Sequence, residues 1–452
     1  MDQATHNKET QSKIKAFYHL LVNSSLAAVL NYTAWFAITF FVYIQTQSVF
    51  AMAIIAGIFL VALALTGLWF GSIVDHHRKK QVMIWSSMAS LAAYLIAFGA
   101  YLAFPESTYQ EVASVPLWTL VLMVMMGVVV GGLRSIALST TVTLLIPEPE
   151  RDKANGLVGT ALGLTLLVTS VISGVLVGLA GMLYVLILAI VGMIGIIAHL
   201  MSISVPEPKI AHNPDAPKKV DVKGTLAVIG KIPGLYALIF FTTFNNFLGG
   251  VFLALMDAYG LSLVSVQVWG FLWGFLSCGF IVGGLLIAKK GLGKNPLKTM
   301  LIANCIIWAI TCVFTIQASI VLLTVGTFIY MAVMPYIEAA EQTVLQKVVP
   351  LERQGRVFGF AQSVEQAASP LMAFMIGPIA QFIAIPFMTT GAGAHLIGSW
   401  FGTGTNRGMA LVFTITGLIG LCVTMLALSS RFYRRLSKTY LGRPETAMSQ
   451  PS

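Results

Sequence analysis

The chain has 452 residues, of which 57% are hydrophobic and 10% are charged, and its mean hydropathy is +0.85. A soluble domain carries about 25% charged residues, and no soluble core could bury this much apolar sequence, so most of the chain must lie in a lipid bilayer. The net charge of +10 does not indicate a nucleic-acid-binding protein, because the basic residues are spread over many short loops and form no face with interleaved aromatic side chains.

Twelve apolar runs predict twelve transmembrane helices, since each run supplies the roughly 20 residues that cross a bilayer and satisfies its own backbone hydrogen bonds. Charged and turn-forming residues separate the runs. The predicted spans are 17–45, 48–73, 81–103, 117–146, 155–179, 181–204, 232–258, 264–288, 297–316, 319–346, 356–385 and 406–430.

The polar segments divide the chain. Residues 1–16 lack a signal-peptide core, so we expect the first apolar run to stay as an anchor. A proline-containing linker of mixed charge at 205–231 separates an N-terminal six-helix bundle, 1–204, from a C-terminal bundle, 232–430, which a tail at 431–452 follows. The Gly- and Thr-rich segment 386–405 predicts a short interfacial helix.

The distribution of basic residues tests the helix count. If the twelve helices alternate in direction, all but two of the 27 Lys and Arg residues fall on one side. The exceptions are Arg134, inside a helix, and Arg407. Because basic loops remain in the cytoplasm, we expect both termini in the cytoplasm and the chain in the cell inner membrane.

The sequence has no pattern that predicts a cofactor, a metal site or an enzyme. No nucleophile and base recur at a useful spacing, and no phosphate-binding Gly-Lys-Ser/Thr loop is present, which excludes ATP-driven transport. The cysteines all lie in apolar runs without metal-ligand spacing, so we expect neither disulfides nor zinc. They are Cys278, Cys305, Cys312 and Cys422.

The two halves repeat a short pattern. Residues 146–151 read Ile-Pro-Glu-Pro-Glu-Arg, and residues 349–353 read Val-Pro-Leu-Glu-Arg. Each follows a long helix and precedes a helix start that contains a glycine, Gly156 or Gly355. This weak symmetry is typical of transporters built from parallel repeats, whose bundles rock about a central cavity to give alternating access.

The loop after the second helix, 71–80, reads Gly-Ser-Ile-Val-Asp-His-His-Arg-Lys-Lys. It resembles the signature of the major facilitator superfamily, G-x-x-x-D-R-x-G-R-[KR]. Chemistry supports a conformational latch here, because a glycine lets helices approach closely and an acid can accept charge-assisted bonds from a neighbouring helix. The second-half counterpart, 284–290, lacks the acid, so we expect a one-sided latch. The latch candidates are Gly71, Asp75, Arg78, Lys79 and Lys80.

A narrower resemblance comes from Gln-Gly-Arg-Val-Phe at 354–358, with Ser-Pro at 369–370 and Gly-Pro at 377–378. These stretches are similar to the drug:proton antiporter-3 branch, which includes macrolide efflux and enterobactin exporter permeases. The resemblance implies a multidrug-type antiporter that exports an amphipathic compound as protons enter. The fifth helix lacks the Gly-Pro pair that antiporters often carry, so the direction of transport stays open.

Charged residues inside the membrane are costly, by about 2.5–3.5 kcal/mol each, and those retained usually pair or function. We predict that Arg134, Glu338, Glu341 and Glu365 form a proton-coupling or ion-pair set. Arg134 and Glu338 hold nearly matching positions in the two halves, and in the superfamily both helices line the central cavity, so the two side chains can pair across it. A static ion pair that only orients helices is the alternative.

Aromatic and amide side chains on the first and seventh helices suit an amphipathic small molecule. They can also be plain packing residues. The candidate cavity residues are Asn31, Tyr32, Trp35, Phe244, Asn245 and Asn246.

The sequence thus predicts an all-α membrane protein with a major facilitator fold, which acts as a monomer on a small-molecule substrate and protons within the bilayer. Alternatives remain open: an importer, a lysolipid or siderophore transporter on the same fold, or a membrane protein that transports nothing.

Overall fold

The computed structural model describes residues 2–46, 49–179, 181–207 and 221–442. Within these ranges the chain is helical and contains no β-strand, which confirms the all-α fold class. The long helices are α1 (Asp2–Thr46), α2 (Val49–His76), α3 (Lys79–Ala103), α4 (Val115–Leu145), α5 (Arg151–Leu179), α6 (Gly181–Ser202), α8 (Leu235–Leu261), α9 (Val266–Lys290), α10 (Pro296–Val313), α11 (Ile320–Val348), α12 (Leu351–Ile379) and α16 (Thr405–Ser429). The short ones are α7 (Val222–Lys231), α13 (Ile385–Thr389), α14 (Ala392–Leu396), α15 (Gly398–Phe401) and α17 (Arg431–Gly442).

Each of the twelve predicted spans contains a long helix in the described part of the chain. Eleven of these helices are long and apolar enough to cross a membrane, and α5 is the remaining one. The molecule is therefore a multi-pass membrane protein. The largest difference from prediction is at the start, where α1 begins at Asp2 and extends the first span through the polar segment.

Two short helices lie where the sequence predicts a linker and a tail. α7 occupies the end of the segment 205–231, and Asp221 caps it by accepting a 2.7 Å hydrogen bond from the backbone of Gly224. Asp is a favoured N-cap residue, so the sequence carried a signal for this helix. Residues 208–220 of the linker and 443–452 of the tail lie outside the described residues.

The chain forms two compact units. Unit 1 comprises 1–151, 164–225 and 349–363, and unit 2 comprises 152–163, 226–348 and 364–452. Each unit thus contains one short segment from the other half of the sequence. The proposed boundaries of two six-helix bundles on either side of 205–231 stay a prediction.

Unit 1 packs around Tyr94, a fully buried residue of α3 in a cluster with apolar side chains of α1, α4 and α6. Its hydroxyl donates a 2.7 Å hydrogen bond to Asn31 on α1. Gly127 of α4 leaves room for the tyrosine ring, since a Cβ there would clash with it. A buried phenol needs such a partner, so Asn31 fixes the packing of α1 on α3.

Unit 2 has its core around Phe314 and Phe413, where α8, α10 and α16 meet. Trp308 of α10 is 2% exposed and donates a 2.7 Å hydrogen bond from its indole to Asn245 on α8. Gly420 of α16 accommodates the indole at close range. Large rings against glycines allow the apolar helices of this unit to pack closely.

The segment before α16 contains three short helices, α13 to α15, in agreement with the predicted short helix. Arg407 holds this segment in place: its guanidinium donates to the backbone oxygens of Phe401, at 2.5 Å, and Ile316, at 2.8 Å, and lies 4.1 Å above the Phe401 ring. Arg407 is therefore structural.

Candidate functional site: helix latches and a carboxyl cluster

Asp75 joins the end of α2 to the first turns of α12 within unit 1. Its Oδ1 accepts the backbone N–H of Gly355 at 2.6 Å, and its Oδ2 accepts that of Arg356 at 3.0 Å. The side chain is almost fully buried. Backbone amides that donate to a buried carboxylate make strong charge-assisted bonds, so Asp75 is suited to lock α2 on α12.

Glycines let the two helix backbones come close enough for this contact. Gly67 and Gly71 on α2 face Gly359 and Gly355 on α12, and a Cβ at any of these positions would meet backbone or side-chain atoms of the other helix far inside van der Waals distance. Glycines four residues apart form one stripe of a helix face. The latch is therefore a glycine-lined crossing that an acid closes.

Arg356 supplies a second layer around Asp75. Its guanidinium lies 3.8 Å from Asp75 and 3.8 Å from Asp221, and Arg353 lies 3.7 Å from Asp221. Arg356 Nη2 also lies 3.2 Å from His76 Nε2, while His76 Nδ1 lies 2.7 Å from the backbone oxygen of Ser72. With its Nδ1–H donated to that carbonyl, neutral His76 presents an acceptor to Arg356.

The two lysines of the signature bind backbone carbonyl groups near the start of α3. Lys79 Nζ donates to the backbone oxygen of Val74 at 2.6 Å, and Lys80 Nζ donates to that of Ile203 at 2.6 Å. Backbone amides of both lysines donate to Glu207 at 2.7 Å. They tie the start of α3 to the ends of α2 and α6, whereas the side chain of Arg78 is exposed. The backbone amides at the start of α12 are the groups that donate to Asp75, as expected for an acid that bonds to a neighbouring helix.

A second crossing, between α5 and α9 in unit 2, corrects the expectation of a one-sided latch. Gly156 packs against Ile287 and Ala288 of α9, Gly284 packs against Thr160 and the Gly156 carbonyl of α5, and a Cβ on either glycine would clash. Asp152, at the start of α5, accepts the backbone N–H of Leu292 at 2.6 Å. The second half does lack an acid after Gly284, but the opposing helix provides one. The comparison of loops alone missed it because the carboxylate lies on the other member of the pair.

Three carboxyl groups cluster in unit 2. Glu341 on α11 is buried, and its carboxyl lies within hydrogen-bonding reach of that of Glu365 on α12. Glu365 Oε1 accepts a 2.8 Å hydrogen bond from the hydroxyl of Thr242 on α8. Glu338, half-buried, lies near Glu365 and near Tyr330. Neighbouring buried carboxyl groups repel each other when both are charged, so this arrangement favours a protonated carboxyl within the cluster.

Both helices that carry the cluster contain a proline close to it, which reduces their internal hydrogen bonding. Pro335 lies in α11 one turn before Glu338, and Pro370 lies in α12 soon after Glu365. Each proline removes one i→i−4 hydrogen bond of its helix. Gly159 and Gly283 pack against Pro335, with a Cβ at either position coming within 3.3 Å of its ring. The cluster therefore lies where the helix backbones have fewer internal bonds.

Arg134 lies in unit 1, where neutral side chains hold it. Its guanidinium donates to the hydroxyls of Ser87, at 2.5 Å, and Ser24, at 3.2 Å, and to the side-chain oxygen Oδ1 of Asn23. The residue is 4% exposed. Within the described part of unit 1 no acidic side chain pairs with it, so its charge is solvated by dipoles. Glu338 belongs to unit 2, and a pairing of the two stays a prediction.

The candidate cavity residues of α1 differ in what they do. Asn31 is 7% exposed and bound to Tyr94, which makes it a packing residue. Tyr32 and Trp35 are half-buried, and the Trp35 ring stacks on Phe59 at 4.0 Å. Trp35 and Tyr32 are therefore the members of this group that keep surface available for a ligand.

On α8 the division is similar. Asn245 donates to the backbone oxygen of Phe241 and accepts from Trp308, both at 2.7 Å, which uses its amide in packing. Asn246 is exposed, and Phe244 is half-buried beside Phe247. Phe244 and Asn246 are the accessible members on this helix.

The sequence interpretation missed several residues that the structure makes important, namely Asp152, Asp221, Thr242, His76 and Tyr94. Asp152 and Asp221 each stand at a helix start, which was a readable signal. Thr242 stands among apolar residues and carried no signal, since only the fold brings it to Glu365.

The long apolar helices, eleven of which can cross a membrane in the described part of the chain, and the glycine-lined crossings define a polytopic membrane protein. A family model described as Major Facilitator Superfamily matches residues 24–373, and the chain belongs to that superfamily. It is therefore a secondary transporter of a small molecule and not an enzyme.

Curated relatives include efflux proteins. Macrolide efflux protein A of Streptococcus pyogenes is 22% identical over 373 residues, which cover 78% of this chain and 87% of the relative. Macrolide efflux protein A of Enterococcus faecalis is 23% identical over 321 residues, covering 68% of this chain and 94% of the relative. The resemblance to macrolide efflux permeases is thus confirmed.

Solved structures show the same fold. A bacterial homologue of the iron transporter ferroportin, in an outward-facing state, superposes with a TM-score of 0.65 at 14% identity, covering 92% of this chain and 100% of that one. The human organic anion transporter MFSD10 gives 0.66 at 11% identity, covering 90% and 99%. A proton:xylose symporter gives 0.64 at 13% identity, covering 92% and 96%.

Proposed function

We propose that this protein exports an amphipathic small molecule from the cytoplasm in exchange for protons, by alternating access in the cell inner membrane. Both termini then face the cytoplasm, as the distribution of basic residues predicts. The carboxyl cluster of Glu338, Glu341 and Glu365 is the observation that carries the proposal, because membrane-buried carboxyl groups in contact are suited to bind a proton and release it.

The coupling scheme assigns different roles to the two units. Protonation neutralises the contact between Glu341 and Glu365, and loss of the proton leaves two like charges that repel each other. That repulsion favours another packing of α11 against α12, which Pro335 and Pro370 make easier. A proton can shift the conformational equilibrium only through such a difference between states. Arg134, which dipoles alone solvate in unit 1, is suited to attract an anionic partner during the cycle.

Substrate recognition is assigned to the accessible aromatic and amide side chains. Tyr32, Trp35, Phe244 and Asn246 offer flat apolar surface with a few polar groups, as suits a ligand that is apolar on one side and polar on the other. The efflux activity in the names of the relatives from Streptococcus pyogenes and Enterococcus faecalis favours export over import.

Reconstituted vesicles test the proposal. A macrolide serves as the first probe, in inside-out and right-side-out vesicles, with and without an imposed pH gradient. We expect gradient-dependent accumulation in inside-out vesicles. Glu341→Gln and Glu365→Gln should abolish the dependence on the gradient while leaving downhill exchange, because a neutral amide cannot carry the proton.

The matched control is Glu111→Gln, which removes an exposed acid from the loop before α4. It should transport as the parent does. Full gradient-driven accumulation by Glu338→Gln, Glu341→Gln and Glu365→Gln together would falsify proton coupling by the cluster. Accumulation in right-side-out vesicles alone would establish import instead.

A further inference from the structure

Helix α17 follows α16 directly and carries a dense set of basic side chains. Residues 431–442 read Arg-Phe-Tyr-Arg-Arg-Leu-Ser-Lys-Thr-Tyr-Leu-Gly, with no acid among them. At 3.6 residues per turn, the four cations fall within an arc of about 100° on one side of the helix. All four are exposed: Arg431, Arg434, Arg435 and Lys438.

The opposite side of α17 docks on unit 2. Leu436 is 2% exposed and packs against Gly234, whose φ of +89° and missing side chain allow the approach. Ser437 accepts a 2.7 Å hydrogen bond from Asn295. Lys347 lies 4.5 Å above the ring of Tyr440. These contacts fix the rotation of the helix about its axis, so the basic side points away from unit 2.

Apolar side chains flank the basic side. Phe432 is 50% exposed and Leu441 is 56% exposed, and the two lie on opposite edges of the basic arc. A shallow apolar crevice lies between part of α17 and the bundle and is lined by Phe241, Leu301 and Phe432 among others. The bundle therefore leaves apolar surface of α17 uncovered, next to the cations.

The position of the helix decides what can reach these side chains. The membrane-crossing α16 ends at Ser429, and Ser430 turns the chain before α17 begins. The first turn of α17 thus lies at the membrane surface, on the side where the basic loops are predicted. A helix with cations on one side and apolar residues at its edges is typical of segments that lie in the headgroup region of a bilayer.

We propose that α17 binds the headgroups of anionic phospholipids in the adjacent leaflet through Arg431, Arg434, Arg435 and Lys438. Each basic side chain held near an anionic membrane surface strengthens binding about fivefold. The cations would also attract nucleic acid, but nucleic acid would not bury the apolar side chains of Phe432 and Leu441 at the edges of the basic arc. The binding surface is separate from the carboxyl cluster and from the latches.

Native mass spectrometry of the full-length protein in a neutral detergent tests the proposal. Short-chain phosphatidylglycerol and phosphatidylcholine are titrated separately as probes. The parent should bind phosphatidylglycerol at least about tenfold more tightly, since two or more of the cations act together. The triple variant Arg434→Gln, Arg435→Gln and Lys438→Gln should lose this preference.

The matched control removes three exposed cations from the end of α9 and the loop that follows it: Lys289→Gln, Lys290→Gln and Lys294→Gln. It should keep the parent preference for phosphatidylglycerol. Thermal unfolding of the triple variant should equal that of the parent, because the docking residues of α17 are unchanged. Equal loss in both triple variants overturns the proposal, as does displacement of the lipid by inorganic phosphate or by an oligonucleotide.

Discussion

Replacing Asp75 by Asn removes the charge of the latch with almost no change in shape. The carboxylate accepts two backbone N–H groups, from Gly355 and Arg356, at 2.6 and 3.0 Å. A hydrogen bond to a charged group contributes about 1.5–3 kcal/mol, and a neutral one about 0.5–1.5 kcal/mol. The amide retains one acceptor oxygen, so one neutral bond survives and the latch loses about 2.5 to 4.5 kcal/mol.

That loss raises the fraction of molecules with an open α2–α12 contact roughly 60- to 1,600-fold, at 1.4 kcal/mol for each factor of ten. A cysteine at Ser363 reports it, because the Ser363 side chain is buried against Gly67 of α2. The four native cysteines are replaced by serine. The labelling rate of Ser363→Cys by a membrane-permeant maleimide follows the open fraction when opening is fast. We expect Asp75→Asn to raise this rate by a similar factor.

Asp221→Asn is a second variant of the same contact, for which a smaller increase in the labelling rate is expected. Asp221 contacts Arg353 and Arg356 at 3.7 and 3.8 Å, and its side chain is 21% exposed. A partly exposed pair at this distance contributes about 0 to 1 kcal/mol, so labelling should rise less than about fivefold. The account of the latch fails if Asp75→Asn labels at the parent rate, or if the two variants label alike.

Three further predictions concern the helix crossings. Gly71→Ala should destabilise the protein by about 1–3 kcal/mol, measured by thermal unfolding in detergent, because the new Cβ meets the Gly355 carbonyl. The control Gly99→Ala adds a Cβ in open space on α3 and should be neutral or stabilising. Equal losses of stability in the two variants would contradict the packing argument. Asp152→Asn should speed hydrogen exchange at the Leu292 amide, while Glu150→Gln should not; unchanged exchange excludes the hydrogen bond. His76→Arg places a second cation beside Arg356 and should raise the labelling rate of Ser363→Cys severalfold. His76→Gln keeps a hydrogen-bond acceptor and should leave that rate unchanged. If both variants label at the parent rate, the role assigned to His76 is refuted.

The helices could be predicted because their signal is local. A bilayer requires long apolar runs with internal hydrogen bonding, and each predicted span corresponds to a helix. The latch glycine and acid, Gly71 and Asp75, were also readable, because a short loop of unusual composition follows an apolar run. The start of α1 was harder to predict. The residues before 17 are polar, so the apolar pattern does not indicate that the helix already begins at Asp2.

The partners of these residues could not be predicted because they depend on which helices meet. Asp75 was expected to bond to a neighbouring helix, but the loop sequence did not indicate which one, and its donors lie 280 and 281 positions away. The contact of Glu365 with Thr242 likewise joins helices that are distant along the chain. One sequence specifies which side chains are polar within the membrane, whereas the packing of helices selects their partners.

The repeat between the halves explains where the two latches lie and why they differ. α5 and α12 are its equivalent helices, and Gly163 and Ser363, each the thirteenth residue of its helix, mark the points where these helices change unit. Before those points, α12 presents Gly355 to α2, and α5 presents Gly156 to α9. In the first crossing the acid lies on the partner, α2. In the second it lies on α5 itself.

The different position of the acid in the two crossings has a physical consequence. Asp75 accepts from amides inside α12, so its bonds depend on the position of a whole helix. Asp152 accepts from the amide of Leu292, which follows Gly291, a residue with a φ of +70° whose missing side chain gives the carboxylate room. The second latch therefore depends on one loop residue. Gly291→Ala should weaken it alone, since a Cβ there strains the backbone and meets the carboxylate. Faster exchange at Leu292 with unchanged labelling at Ser363→Cys would show that the two latches open separately.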